Sequence, residues 1–142
     1  MSKIQIAIDT IFAACGATLG FLYGELTGLF YALLAMMILD YITGLIVAGI
    51  NRKISSEIGF KGLAKKLLIL VFVAMGHIVD TFVLGGGSIA MSAVMLFYIA
   101  NEGISIIENA AALGLPVPDK LREIMEQIKT KTEEEKDDDG NN

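Results

Sequence analysis

Acidic, basic and amide side chains lie within stretches of the chain that are otherwise apolar. Asp40 is the only acidic or basic residue between positions 26 and 50, and His77 and Asp80 interrupt the apolar run 67–84. The last apolar stretch becomes polar in its second half, at Asn101, Glu102, Ser105, Glu108 and Asn109. Such groups are costly in hydrocarbon, so they normally face one another or a water-filled cavity. Their candidate chemistry is therefore hydrogen bonding and the formation of a water path inside a membrane.

Depth along the helices groups these side chains at one level. Asp40, His77 and Glu102 each lie ten or eleven residues from the predicted cytoplasmic end of their stretch, about 15–17 Å deep at 1.5 Å per residue. We predict an intramembrane polar layer formed by Asp40, Thr43, His77, Asp80, Asn101, Glu102, Ser105, Glu108 and Asn109. Two interpretations carry equal weight: the layer closes a bundle within one subunit, or it lines a lumen or joins subunits.

Metal binding and catalysis find no support in this set. One histidine with carboxylates on different helices is weak evidence for a zinc site, so we predict no metal and no cofactor. No nucleophile motif accompanies His77, and we predict that the protein is not an enzyme. Cys15 is the only cysteine, which excludes an intramolecular disulfide.

The elements that carry the layer are predicted membrane spans. Apolar residues make up 54% of the chain, and four stretches are long enough to cross about 30 Å of hydrocarbon. We predict an all-α membrane protein with a transmembrane domain over 1–115 and spans at about 4–23, 26–50, 67–84 and 89–113. If 4–23 does not insert, three spans with an external N-terminus obey the same charge rule.

A basic segment after the second span sets the orientation. Residues 51–66 are predicted to form a loop with Ser55, Gly59 and Gly62 as turn formers. Its basic residues are Arg52, Lys53, Lys61, Lys65 and Lys66. Basic loops stay on the cytoplasmic side, so both this loop and the C-terminus are predicted to be cytoplasmic.

The C-terminal part is strongly charged. Pro116 and Pro118 end the last span, and apolar residues then recur at helical spacing, which predicts an amphipathic helix over 116–130. Residues 131–142 are predicted to be a disordered acidic tail. Because 14 of the 27 Lys, Arg, Asp and Glu residues follow Pro118, the net charge of −5 says nothing about a substrate. No basic face with interleaved aromatic residues supports nucleic acid binding.

Glycines recur every fourth residue in the first stretch, at Gly16, Gly20 and Gly24. This small-xxx-small spacing, together with Gly44 on the second span, predicts close helix–helix contact. Gly24 alternatively belongs to the turn around Glu25.

Several sequence blocks, in order, resemble the bacteriophage holin family that includes toxin-secretion holins of clostridia. The blocks are Leu39-Asp40-Tyr41-Ile42-Thr43-Gly44, Ser55-Ser56-x-x-Gly59-x-x-Gly62 with Lys65-Lys66, Asp80, Asn101 through Asn109, and Gly114-Leu115-Pro116-Val117-Pro118-Asp119-Lys120-Leu121. The resemblance covers about 33–121. Many holins end in a basic tail, whereas this chain ends in an acidic one.

The resemblance implies a small phage-encoded protein of the bacterial cytoplasmic membrane. It would homo-oligomerise in the lipid bilayer and form lesions that release an endolysin, or a toxin, and thereby lyse the host. Its implied partners are further copies of itself, an antiholin and, functionally, the endolysin. Two other classes stay open: an antiholin that delays lysis, and a small ion- or proton-conducting membrane protein.

Overall fold

Hydroxyl side chains begin three of the helices. Ser2, Thr27 and Ser55 each accept a hydrogen bond from the backbone N–H three residues later, at 3.2, 3.4 and 3.2 Å. Such caps satisfy N–H groups that have no partner within the helix, so helix starts follow directly from these residues. The first helix ends at Gly24, whose φ of +62° favours glycine.

The computed structural model describes residues 2–139, which form five helices joined by short connections. They are α1 (Lys3–Tyr23), α2 (Gly28–Ile50), α3 (Ser56–Phe82), α4 (Ile89–Ala112) and α5 (Asp119–Asp139). The first four are long and apolar enough to cross a membrane. The predicted all-α membrane class with four candidate spans is confirmed.

The core lies between α2, α3 and α4, with α4 at the centre. Leu33, Val73 and Met95 are almost completely buried there, one from each helix. α4 packs against α2, α3 and α5, whereas α1 lies along α3 and buries none of its residues. Most of the large apolar side chains of α1 therefore face outward, as expected for a surface that meets lipid.

The third helix begins eleven residues earlier than the predicted span 67–84. Ser55 caps it, so Lys61, Lys65 and Lys66 lie on α3 rather than in a loop. Gly59 and Gly62, predicted as turn formers, are helical, and both lie against the ring of Tyr41. Their missing side chains make room for that ring, and the Tyr41 hydroxyl donates to the Gly59 carbonyl at 3.4 Å. The connection itself is short and keeps only Arg52 and Lys53 of the predicted basic loop.

The last helix is longer than predicted. α5 continues to Asp139, past the expected end at 130 and into the segment predicted to be disordered. Glu and Lys have high helix propensity, and Thr132 is buried, so the helix has reasons to continue there. The remainder of the predicted tail, 140–142, lies outside the described residues.

The structure places the four glycines of the predicted helix–helix contact in different surroundings. A Cβ atom added to Gly16 or Gly20 would meet nothing within 4 Å, so these two glycines face away from the bundle. Gly24 belongs to the turn, where its backbone approaches the His77 ring. Gly44 does lie at a helix contact, 3.8 Å from the Asn109 side chain when a Cβ is placed on it.

Candidate functional site

The α2–α3 hairpin places an acid and a base at the same depth. Asp40 lies ten residues before the end of α2 at Ile50, and Lys66 lies ten residues after the start of α3 at Ser56. Since the helices run in opposite directions, both side chains lie about 15 Å from the connected end of the hairpin.

Lys66 lies between two carboxylates from different helices. Its Nζ donates to Asp40 Oδ2 at 2.5 Å and also to Glu102 Oε2 of α4. The exposed fractions of the Lys66, Asp40 and Glu102 side chains are 13%, 15% and 9%. We call Asp40, Lys66 and Glu102 the ion cluster. It joins α2, α3 and α4.

Amide and hydroxyl groups extend the ion cluster along α2 and α4. Asn109 Nδ2 donates to Thr43 Oγ1 at 2.9 Å and to Asp40 Oδ1 at 3.4 Å. Thr43 Oγ1 in turn donates to the backbone carbonyl of Asp40 at 3.0 Å. Asp40 therefore has partners at both carboxylate oxygens, and among the described residues no buried side-chain N or O atom lacks a hydrogen bond.

A cavity of about 540 Å³ lies beside the ion cluster, between α2, α3 and α4. Its polar lining includes the three residues of the ion cluster with Asn101, Ser105 and Asn109, and Lys65 also borders it. Leu45, Ile69 and Phe72 contribute apolar wall. The volume is many times the roughly 30 Å³ that one water molecule occupies, so the cavity can hydrate the ion cluster.

Two carboxylates and one ammonium give the ion cluster a formal charge of −1. Removing one partner from a buried pair leaves an uncompensated charge, which typically costs about 3–5 kcal/mol. The arrangement therefore suits closure of a helix bundle. Among the described residues no group of three His, Cys, Asp or Glu side chains lies close enough to hold a metal ion.

Asp80, predicted as part of the same layer, has a different role at the other end of α3. Its carboxylate is fully buried and accepts hydrogen bonds from the backbone N–H groups of Ala90 at 2.8 Å and Met91 at 2.9 Å. These are first-turn amides of α4, where the helix dipole favours a negative charge. Asp80 thus caps α4 across the turn that Gly85, Gly86 and Gly87 form with positive φ angles.

His77 is also separate from the ion cluster. It lies eleven residues beyond Lys66, about 16 Å further along α3, and its ring meets the α1–α2 connection at Gly24. The predicted common level fails because depth was counted from position 67, whereas α3 begins at Ser56.

The polar residues in the second half of α4 also have different surroundings from one another. Glu102 and Asn109 bond within the bundle, and Asn101 and Ser105 line the cavity. Glu108 is exposed and points away from it.

The sequence prediction placed Lys66 in a cytoplasmic loop. It therefore missed this residue as the partner of Asp40 and Glu102. Two signals identify it. Ser55 is a helix-capping residue, which places the start of α3 earlier in the chain than position 67. Lys66, Ile69 and Val73 then follow i, i+3, i+7 spacing, so the lysine shares the face that carries the buried residues of α3.

Four membrane-length helices, three of them joined by a buried ion cluster, define a small multi-pass α-helical membrane protein. The chain belongs to the bacteriophage holin family, whose family model matches residues 17–130. The match includes all of α2, α3 and α4 and therefore the whole ion cluster.

The chain is similar to several uncharacterized bacterial proteins. A protein of Halalkalibacterium halodurans is 42% identical over 121 residues, covering 82% of this chain and 90% of the relative. A protein of Listeria innocua is 42% identical over 125 residues, covering 87% and 89%. A protein of Clostridium perfringens is 36% identical over 131 residues, covering 92% and 97%. No solved structure shows a significant match to the chain.

Proposed function

We propose that this protein is a holin that homo-oligomerises in the bacterial cytoplasmic membrane and forms lesions through which an endolysin, or a toxin, crosses. The observation that carries the proposal is the family match over residues 17–130, which covers every helix that contributes to the ion cluster. The proposed activity needs no catalytic group, since it consists of assembly and membrane opening.

In the proposed mechanism the ion cluster closes each subunit. Lys66 forms ion pairs with both Asp40 and Glu102 inside the bundle and leaves a formal charge of −1, so a single subunit presents few polar groups to lipid. Of the two roles that the sequence left open, bundle closure is the one the contacts favour. This state suits a protein that accumulates in the membrane without harm before it assembles.

The proposed subunit contacts lie on α1. This helix buries no residue within the chain, and Gly16 and Gly20 face open space. Small residues at four-residue spacing let two helix backbones approach closely in lipid, so the predicted glycine contact is proposed between subunits rather than within one.

The proposed topology has the N-terminus, the α2–α3 connection and α5 in the cytoplasm. Arg52 and Lys53 in that connection support it through the positive-inside rule. Cysteines introduced at Lys3 and Gly86 in a Cys15→Ser background test it in intact cells. Labelling from outside at position 86 but not at position 3 supports four spans. Labelling at both positions would instead mean three spans.

A release assay with a folded endolysin tests the function. The protein is expressed together with a cytoplasmic endolysin that has no export signal, and cell-wall degradation is followed with time. We expect abrupt lysis that requires both proteins, because a folded enzyme must cross the membrane. Membrane depolarisation without lysis would identify an ion-conducting protein, and neither effect, with delayed lysis by a second holin, would identify an antiholin. Either result would overturn the proposal.

A further inference from the structure

The last helix folds back along α4. A Cβ atom added to Gly103 of α4 would lie 2.7 Å from the Met125 sulfur of α5, and Lys129 Nζ lies 5.9 Å from the centroid of the Phe97 ring. Counted from the α4–α5 connection, Gly103 comes before Phe97 on α4, and Met125 comes before Lys129 on α5. The two helices are therefore antiparallel. Thr132, further along α5, is 4% exposed.

These contacts lie at membrane depth. Gly103 is nine residues from the cytoplasmic end of α4 at Ala112, and Phe97 is fifteen residues from it. At 1.5 Å per residue they lie about 14 and 22 Å above that end, within a hydrocarbon core of about 30 Å. A docked α5 therefore runs beside a membrane-spanning segment and not along the membrane surface.

The outward face of α5 is strongly polar. A shallow groove on it is lined by Glu123, Glu126, Gln127, Thr130, Lys131 and Glu134. Acidic and basic side chains at the bilayer centre are costly unless they face a partner or water. Lipid against this groove is therefore incompatible with the docked position, whereas water is compatible with it.

The ion cluster and Asp80 do not supply a comparable outward surface. Asp40, Lys66 and Glu102 bond to one another inside the bundle, and Asp80 bonds to backbone amides. Among the described residues, the outward face of α5 instead has no partner on another helix and points away from α4.

We propose that α5 docks on α4 only on the water-filled side of the assembled lesion, where its outward face lines the lumen, and that it leaves α4 in the lone subunit. The inference rests on the proposed holin function. When α5 leaves, the uncovered surface includes Phe97, Gly103 and Met36, which suit contact with lipid. Assembly thus changes the environment of α5 from the membrane surface to the lumen.

Cross-linking across the α4–α5 contact tests the inference. Phe97→Cys and Lys129→Cys are combined in a Cys15→Ser background, and the full chain is reconstituted in phosphatidylethanolamine–phosphatidylglycerol vesicles that contain a fluorescent dextran. A cleavable bis-maleimide is added at protein densities below and above the onset of dextran release. An excess of Cys15→Ser chain without the pair suppresses links between subunits. The matched control pairs Phe97→Cys with Gln127→Cys, because Gln127 is on the outward face of the same part of α5.

The intramolecular 97–129 link is expected to increase about tenfold with the onset of release, which corresponds to a change of about 1.4 kcal/mol in the docking equilibrium. The 97–127 pair is expected to stay low throughout. A 97–129 yield that is equally high below the onset, or absent above it while dextran is released, would overturn the inference and leave the holin function intact.

A second pair keeps the test independent of changes at Phe97. Met36 and Met125 both approach the same point beside Gly103, so Met36→Cys with Met125→Cys reports the same docking. It is expected to follow the same density dependence, and a density-independent yield contradicts the inference. If none of the proteins, including the Cys15→Ser parent, releases dextran at any density, the proposed function itself fails and the inference fails with it.

Discussion

The two halves of α3 take part in neutralising buried carboxylates in different ways. In its N-terminal half, Lys66 bonds to Asp40 and Glu102, which are distant in sequence and lie on two other helices. Near the opposite end, Asp80 bonds to backbone amides only ten and eleven residues away, across one turn. The first arrangement depends on three helices being assembled, whereas the second needs only one hairpin. Charge burial in this protein therefore depends on the packing of three helices at the ion cluster and on a single hairpin at Asp80.

The largest expected effect comes from removing the shared base. Lys66→Met leaves Asp40 and Glu102 without their cation, and we expect a loss of about 3–5 kcal/mol in unfolding free energy. Denaturant titration in detergent micelles, followed by circular dichroism, measures it. Lys65→Met is the matched control, because Lys65 is exposed and forms no ion pair among the described residues. A change at Lys65 within about 0.5 kcal/mol is expected.

Neutralising all three groups tests whether unpaired charge is the cause. Lys66→Met combined with Asp40→Asn and Glu102→Gln is expected to regain most of the lost stability, since no uncompensated charge remains. If the triple variant were as unstable as Lys66→Met alone, the loss would come from packing of the lysine side chain and not from the ion cluster.

A smaller and more local effect is expected at the other end of α3. Asp80→Asn keeps one acceptor oxygen but leaves one first-turn amide of α4 unpaired, which costs about 1–3 kcal/mol. Hydrogen exchange should accelerate at the amides of Ala90 and Met91 while the ion-cluster region stays protected. Ser88→Ala is the control, because Ser88 makes no side-chain cap bond. Equal acceleration throughout α2 would show that the two ends are not independent.

Substitutions at two glycines distinguish helix contacts within a subunit from contacts between subunits. A Cβ on Gly76 would lie 2.8 Å from Met91 Cα, so Gly76→Ala forces α3 and α4 apart and is expected to cost about 1–3 kcal/mol. Gly16→Ala meets no atom within 4 Å, so subunit stability should be unchanged. Cross-linking in membranes should instead show weakened self-association for Gly16→Ala. Unchanged association would remove α1 from the proposed subunit interface.

The smallest expected effect is the energetic coupling between His77 and the ion cluster. A double-mutant cycle with Asp40→Asn and His77→Gln should give an interaction energy below about 0.5 kcal/mol, because the two regions are about 16 Å apart along α3. The cycle that pairs Asp40→Asn with Lys66→Met is the positive control and should be strongly non-additive. A large coupling for His77 would restore the single polar layer predicted from the sequence.

The sequence alone determined the class of protein and much of its inventory of polar residues. Hydrophobic length predicted the four candidate spans, since about twenty apolar residues are needed to cross a bilayer. The insertion cost of charge identified Asp40 and Glu102 as residues that need partners. These inferences depend on local composition and periodicity, which are known without any knowledge of how the helices pack.

Tertiary structure decided which partner each group has. Lys66 reaches Asp40 and Glu102 only because α2, α3 and α4 meet at one depth, and an error in the start of α3 was enough to substitute His77 for it. The position of α5 was likewise beyond the sequence, because an amphipathic helix fits a membrane surface and the side of α4 equally well by pattern. Partner choice depends on the register between helices, and register is set by the packing of side chains that are distant along the chain.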